Sequence, residues 1–213
     1  MKMIKVYGIN EKNHFEDKET GVKYRRVVGG FAWPGIKPGF FVIVAEDFEE
    51  DCSLKTRHMR ILVEIEDDRV NELFRRSLES TEKYKAEDVY GDSENKPMMA
   101  LLRQFNETLY KEKLPTLHLC PAPEVQEPKA FESYIHTIKN HLHPDRKTLH
   151  FGEESKIPGY LMKLSPEELM KATASDYPAI AALGYAVSYL DTYQLSEIEF
   201  HVNKNLGKSY VTK

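Results

Sequence analysis

Val89-Tyr90-Gly91-Asp92-Ser93-Glu94-Asn95-Lys96-Pro97 reads as a short strand, an acidic turn, and a helix that starts near Pro97. Proline suits a first helical turn, where its missing N–H has no partner to lose. An aspartate at the carboxyl end of a strand in an α/β chain stands where ligands and metal ions commonly bind. The Asp92 carboxylate has two open readings. It organises its own turn by accepting from a nearby backbone N–H, or it offers oxygen to a hard divalent cation. A second acid, Asp176, sits in Ser175-Asp176-Tyr177-Pro178, ahead of the apolar stripe Ile180, Leu183, Val187 and Leu190. There a helix cap and a ligand both remain open. A third set, Glu64, Glu66, Asp67 and Asp68, closes the apolar run RILVEI.

Other reactive residues point to less. His136, His141, His143 and His150 invite a zinc reading, but His136 and His141 are five apart, which suits one helical face poorly, and no cysteine is near. Cys52 and Cys120 have no metal-ligand spacing and read as free thiols in a reducing compartment. Gly207-Lys208-Ser209 ends like a phosphate-binding loop, yet Val202 holds the place of its first glycine. An ATP-driven motor is therefore not expected.

The elements that must position these acids follow from the hydrophobic pattern. Met3 to Ile9, Tyr24 to Trp33, Phe40 to Ala45 and Arg60 to Ile65 read as strands, and residues 10–21 as a polar turn. FFVIVA at 40–45 is apolar throughout, as in a strand buried on both faces. Glu46 to Asp51 reads as an acidic loop. Val70, Leu73, Phe74 and Leu78 then share a helical face, as do Met98, Leu101, Leu102, Phe105 and Leu109, and later Phe131, Ile135, Ile138 and Leu142. Short strands fall at 87–91, 116–120 and 148–151, and Ser165-Pro166-Glu167-Glu168 reads as a capping box that opens a helix.

The net charge of −4 lends no support to a strongly basic nucleic-acid binder, though a local basic face is compatible with it. Residues 1–10 carry no apolar signal region, and no apolar stretch nears the about 20 residues that span a bilayer. A cytoplasmic protein without a membrane partner is expected. No repeat or linker interrupts the chain. One domain is expected over 1–213, with residues 1–21 as an N-terminal extension and 192–213 as a C-terminal tail.

Three segments, in order, resemble the nuclease domain of phage terminase large subunits. VYGDSENKPMMALLRQFN (89–106) is similar to that family's aspartate–serine–x–x–x–proline turn, in which a strand ends in Asp and feeds a helix. SDYPAIAALGYAVSYL (175–190) is similar to its last helix, and residues 129–151 to its helix and following strand. The resemblance spans roughly residues 22 to 191. It implies a ribonuclease-H-like α/β fold: a mixed sheet built from a three-strand antiparallel meander, then alternating helices and strands, with helices on both faces.

The resemblance also implies two-metal hydrolysis of DNA phosphodiester bonds, with Mg²⁺ or Mn²⁺ as cofactor. Two ions ~4 Å apart activate water on one side of the phosphate and steady the leaving oxygen on the other. Three acids hold them in that family. Asp92 and Asp176 match two of the positions. The third belongs on the first strand of the meander, where the sequence reads Gly29-Gly30-Phe31-Ala32-Trp33 and Phe31 stands in its place. Substitutes are Glu46 and Asp47, or Glu64 and Glu66. Glu64 completes the expected set of catalytic, metal-holding residues Asp92, Asp176 and Glu64. DNA and phage packaging proteins are the implied partners. Two functions follow: a metal-dependent endonuclease, or a catalytically degenerate ribonuclease-H-like module that binds DNA or another protein.

Overall fold

The computed structural model describes residues 3–6, 14–48, 58–122, 130–164 and 173–191. Its centre is β4 (Gly39–Asp47), in which every residue from Gly39 to Glu46 is buried. That is the outcome expected of an apolar run with no polar alternation. β3 (Lys23–Ala32) and β5 (Met59–Asp67) flank it, both antiparallel, with Gly30 opposite Val42 and Val42 opposite Glu64. The three strands are the expected meander.

On the other side of β3 lies β6 (Val89–Gly91), parallel, with Phe31 beside Gly91. β7 (Cys120–Pro121) continues parallel from β6, and β8 (Leu149–His150) runs parallel to β5. Across the sheet the order is thus β8-β5-β4-β3-β6-β7. This is the ribonuclease-H-like arrangement that the resemblance implied. It places the carboxyl ends of β3, β5, β6 and β7 along one edge.

The N-terminal segment departs from the expectation of a turn. β1 (Met3–Val6) pairs antiparallel with β2 (His14–Asp17), and Phe15 of β2 pairs with Tyr24 at the start of β3. HFED is too short and polar to stand out as a strand, yet Phe15 is 2 % exposed and packs with Met3 and Tyr24.

Helices cover both faces. α1 (Val70–Tyr84) and α2 (Lys96–Lys111) lie over Val27, Phe31, Trp33, Phe41 and Ile43 through Leu73, Phe74 and Leu102. α3 (Ala130–Leu142), α4 (Ile157–Met162) and α5 (residues 178–191) cover Val28, Ala32, Phe40, Val42 and Val44. Burying a large apolar side chain is worth about 1.5–3 kcal/mol, so β4, buried on both faces, ties the two layers together. α2 begins as read: Pro97 lies in its first turn and the Asn95 side chain accepts from the Met98 N–H at 3.4 Å.

Glu46 and Asp47 belong to β4, and Glu46 is 1 % exposed with Arg25 Nη1 at 3.9 Å, so the acidic loop starts later than read. α4 was not expected: it is six residues long, and Pro158 and Gly159 in its first turn leave little helical pattern. The capping box at 165–168, Cys52, and the tail from residue 192 lie outside the described residues. No described helix is long and apolar enough to cross a membrane.

Candidate functional site

Side chains alternate across a strand, so neighbours in register share a face. On β3, Val28 and Ala32 face α3 and α5, while Val27 and Phe31 face α1 and α2. Phe31 is fully buried there, with ring centroids 4.9 Å from Trp33 and 5.9 Å from Phe74. Asp92 directly follows Gly91, which pairs with Phe31. The β3 residue level with Asp92 is therefore Ala32. Continuing across the sheet, Ala32 pairs with Phe40 and Phe40 with Glu66. The row reads Asp92, Ala32, Phe40, Glu66. The position of the family's first acid is apolar on either face: Phe31 on one, Ala32 on the other.

Asp92 is held by its turn. Its carbonyl accepts from the indole Nε1 of Trp33 at 2.7 Å, and its Oδ1 accepts from the Glu94 N–H at 3.0 Å. Its charge reaches the α3–α5 layer. Burial first, and then the Asp92 carboxylate, push the Tyr134 hydroxyl up to about 12. Tyr185 on α5 is raised by burial, by Tyr134 and by Asp92.

Asp176 precedes α5 without capping it. Its Oδ2 accepts from the Thr173 hydroxyl at 2.7 Å and the Thr173 N–H at 2.9 Å. These bonds, hydroxyl first, hold its carboxyl below the usual range, and the Lys37 charge adds to them. Glu64 is committed elsewhere. Its Oε1 accepts from the Ser155 hydroxyl and its Oε2 from the Lys156 N–H at 2.9 Å, fastening the segment before α4 to the sheet. Glu66, two residues on and on the same face, accepts from Tyr160 Oη at 2.6 Å and Lys156 Nζ at 2.9 Å. Burial pulls the Glu66 carboxyl up, but the Lys156 and Tyr160 hydrogen bonds together outweigh it and hold it down. The same bond pushes Tyr160 up to about 12.

Of the three expected residues, only Asp176 lines the pocket at this edge. That pocket, of about 190 Å³, is walled by Lys37, Phe40, Glu66, Tyr160, Lys163 and Asp176 among others. Glu66 was legible as a neighbour of Glu64 at the strand period. Lys37 and Tyr160 were not, since they lie in a turn and in the unexpected α4.

The residues present do not fit a pair of divalent ions. Glu66 and Asp92 stand three strand spacings apart, about 14 Å between their backbones, with no acid on the two strands between them at that level. Ala32 and Phe40 fill the interval. α5 also presses on the sheet, where a Cβ on Gly30 would lie 1.8 Å from the Ala182 carbonyl oxygen, and on α3, where a Cβ on Gly184 would lie 2.5 Å from Tyr134 Cβ. Among the described residues no three His, Cys, Asp or Glu side chains converge enough to hold a metal ion. The histidines are tied up separately. His141 bonds Thr148 Oγ1 at 2.7 Å and Asp191 at 2.9 Å, and His150 lies 2.7 Å from His58.

No family model matches the sequence. No curated protein matches it either. Solved structures do. The large terminase of a thermophilic bacteriophage superposes with a TM-score of 0.50 at 14% identity, over 78% of this chain and 40% of that one. The yeast mitochondrial Holliday junction resolvase gives a TM-score of 0.38 at 14% identity, over 81% and 85% of the two chains. This chain spans two-fifths of the terminase's length. At such identity the likeness speaks for the fold alone, and together with the strand order it gives the chain a ribonuclease-H-like fold.

Proposed function

We propose that this chain is a catalytically degenerate ribonuclease-H-like module, acting as one unit over 1–213, that binds DNA without cutting it by two-metal chemistry. One observation carries the reading: where a first acid and two ions would sit, Ala32 and Phe40 fill the row between Asp92 and Glu66, and α5 rests directly on Gly30. DNA as partner is supported by the likeness to a terminase, and Lys37 and Lys163 at the pocket edge supply local positive charge despite the net −4. A phage packaging apparatus is the setting the terminase likeness suggests.

A second reading keeps the activity: a two-metal endonuclease with Asp92, Asp176 and Glu64 as ligands for Mg²⁺ or Mn²⁺. It is favoured by the Asp92 and Asp176 positions in the family-like turn and last helix. Plasmid cleavage in Mn²⁺ separates the two. Degeneracy predicts no metal-dependent nicking by the wild type above that of Asp92→Ala and Asp176→Ala. Nicking that disappears in both variants would decide for the nuclease.

A further inference from the structure

The pocket beside Asp176 has a composition that the closed nuclease row does not explain. Its inner wall is aromatic and acidic. Phe40 and Tyr160 meet edge to face with centroids 6.4 Å apart, and Glu66 and Asp176 face the same space. Its margin is cationic and apolar twice over. Lys37 follows Ile36, 98 % exposed, at the β3–β4 turn, and Lys163 follows Met162, 82 % exposed, at the end of α4. Lys163 Nζ hangs 5.9 Å from the Tyr160 ring centroid.

We infer that this pocket receives one unpaired, amino-bearing base of a single nucleic-acid strand, with the flanking phosphates on Lys37 and Lys163. The inference rests on the DNA-binding reading above. Size admits a single ring system: an apolar cavity of about 150 Å³ holds a benzene ring, and this one is about 190 Å³. Charge fixes the orientation. Carboxylates inside would repel a phosphate but accept N–H bonds from an exocyclic amine or ring N–H. Each carboxylate offers about four acceptor sites. Glu66 spends two on Lys156 and Tyr160, and Asp176 accepts from Thr173. The exposed Ile36 and Met162 side chains offer apolar area on either side of the pocket against which neighbouring bases can pack. An acidic protein segment would use the same lysines but would meet the two carboxylates unfavourably.

Fluorescence anisotropy with labelled strands of about twelve nucleotides, a length that covers one such site, tests this at low salt. A mixed single strand is expected to bind at least about tenfold more tightly than an abasic strand of the same length or a blunt duplex, the loss of one stacked base. Lys37→Glu with Lys163→Glu, both at the pocket margin, should weaken binding at least about tenfold and flatten its salt dependence. Wild type should prefer oligodeoxycytidylate, whose base carries an exocyclic amine, over oligothymidylate, which offers only a ring N–H, and Asp176→Asn should narrow that preference; equal wild-type binding of the two overturns the amine contact. Binding of the abasic strand or the duplex as tightly as the mixed strand overturns the base pocket and leaves DNA binding standing. Binding of no nucleic acid, or saturable binding of an acidic peptide alone, overturns both. Unchanged melting temperatures in the lysine variant establish that any loss is not unfolding.

Discussion

Gly30 and Ala182 are in backbone contact: a methyl group on Gly30 would stand 1.8 Å from the Ala182 carbonyl oxygen. α5 thus lies on β3 with no room for a side chain between them. The neighbours on α5 that pack into the same layer, Ala179, Ala181, Ala182 and Ala186, are small and buried. This close approach leaves no room for a side chain at position 30 of β3. Gly30→Ala is expected to destabilise the protein by about 3 kcal/mol, the upper end for overpacking, because the obstacle is backbone and cannot rotate away. Urea denaturation reads the change, and a loss below about 1 kcal/mol, the lower end for overpacking, would mean that the helix shifts freely.

Trp33 pins the turn of Asp92 through its indole N–H. Trp33→Phe removes that bond and leaves a carbonyl unpaired, and is expected to cost about 1–3 kcal/mol. A chemical-denaturation midpoint measured by circular dichroism checks it, since Trp33 is the chain's single tryptophan and its fluorescence is lost in the variant.

Neither of these contacts is legible in the sequence, although much of the frame around them is. The apolar run at 40–45 told of a doubly buried strand, and the meander, the Asp92 turn and the last helix followed from pattern and punctuation. Which β3 residue faces the site did not. Val27 to Ala32 are all buried, so neither face of that segment is polar, and the period-two alternation that would distinguish Phe31 from Ala32 is missing. β2 escaped because four polar-leaning residues carry too little pattern. α4 escaped because Pro158 and Gly159 leave little helical pattern in its six residues. The commitment of Glu64 to Ser155 and Lys156 spans about ninety residues of sequence, and no local spacing announces it.

The bonds of Glu66, to Lys156 first and then to Tyr160, make stability decline on acidification, and the Glu66–Tyr160 bond makes it decline at the alkaline end. The Glu66 carboxyl is held below its ordinary value when folded. Its contribution is therefore complete above about pH 4.5 and falls away as pH drops through the folded value. Tyr160 is raised to about 12. Its contribution is complete below about pH 10 and falls away as pH rises toward about 12. Tyr160→Phe should cost about 1 kcal/mol near neutrality and flatten the alkaline decline. Denaturation midpoints across pH for both proteins measure this, and parallel curves would contradict it.

His141 joins α3 to α5 through Asp191 and to the segment before β8 through Thr148. A carboxylate only accepts, so Nε2 donates to Asp191, while Nδ1 pairs with the Thr148 hydroxyl. His141→Ala strands two polar partners at a site that is 7 % exposed. A loss of about 2–3 kcal/mol is expected, read as a lowered thermal midpoint. A loss under about 1 kcal/mol would mean that water replaces both bonds.

The edge holding Asp92 and Asp176, on the degenerate reading, no longer forms a two-metal site. The most direct measurement of this is the melting temperature with and without millimolar Mn²⁺, in the wild type and in Asp92→Ala. A bound ion at about a hundred times its Kd would stabilise the folded state by about 2.7 kcal/mol, a shift of several degrees. The degenerate reading predicts the same small Mn²⁺ response in both proteins. A clear upward shift in the wild type that vanishes in Asp92→Ala would contradict it.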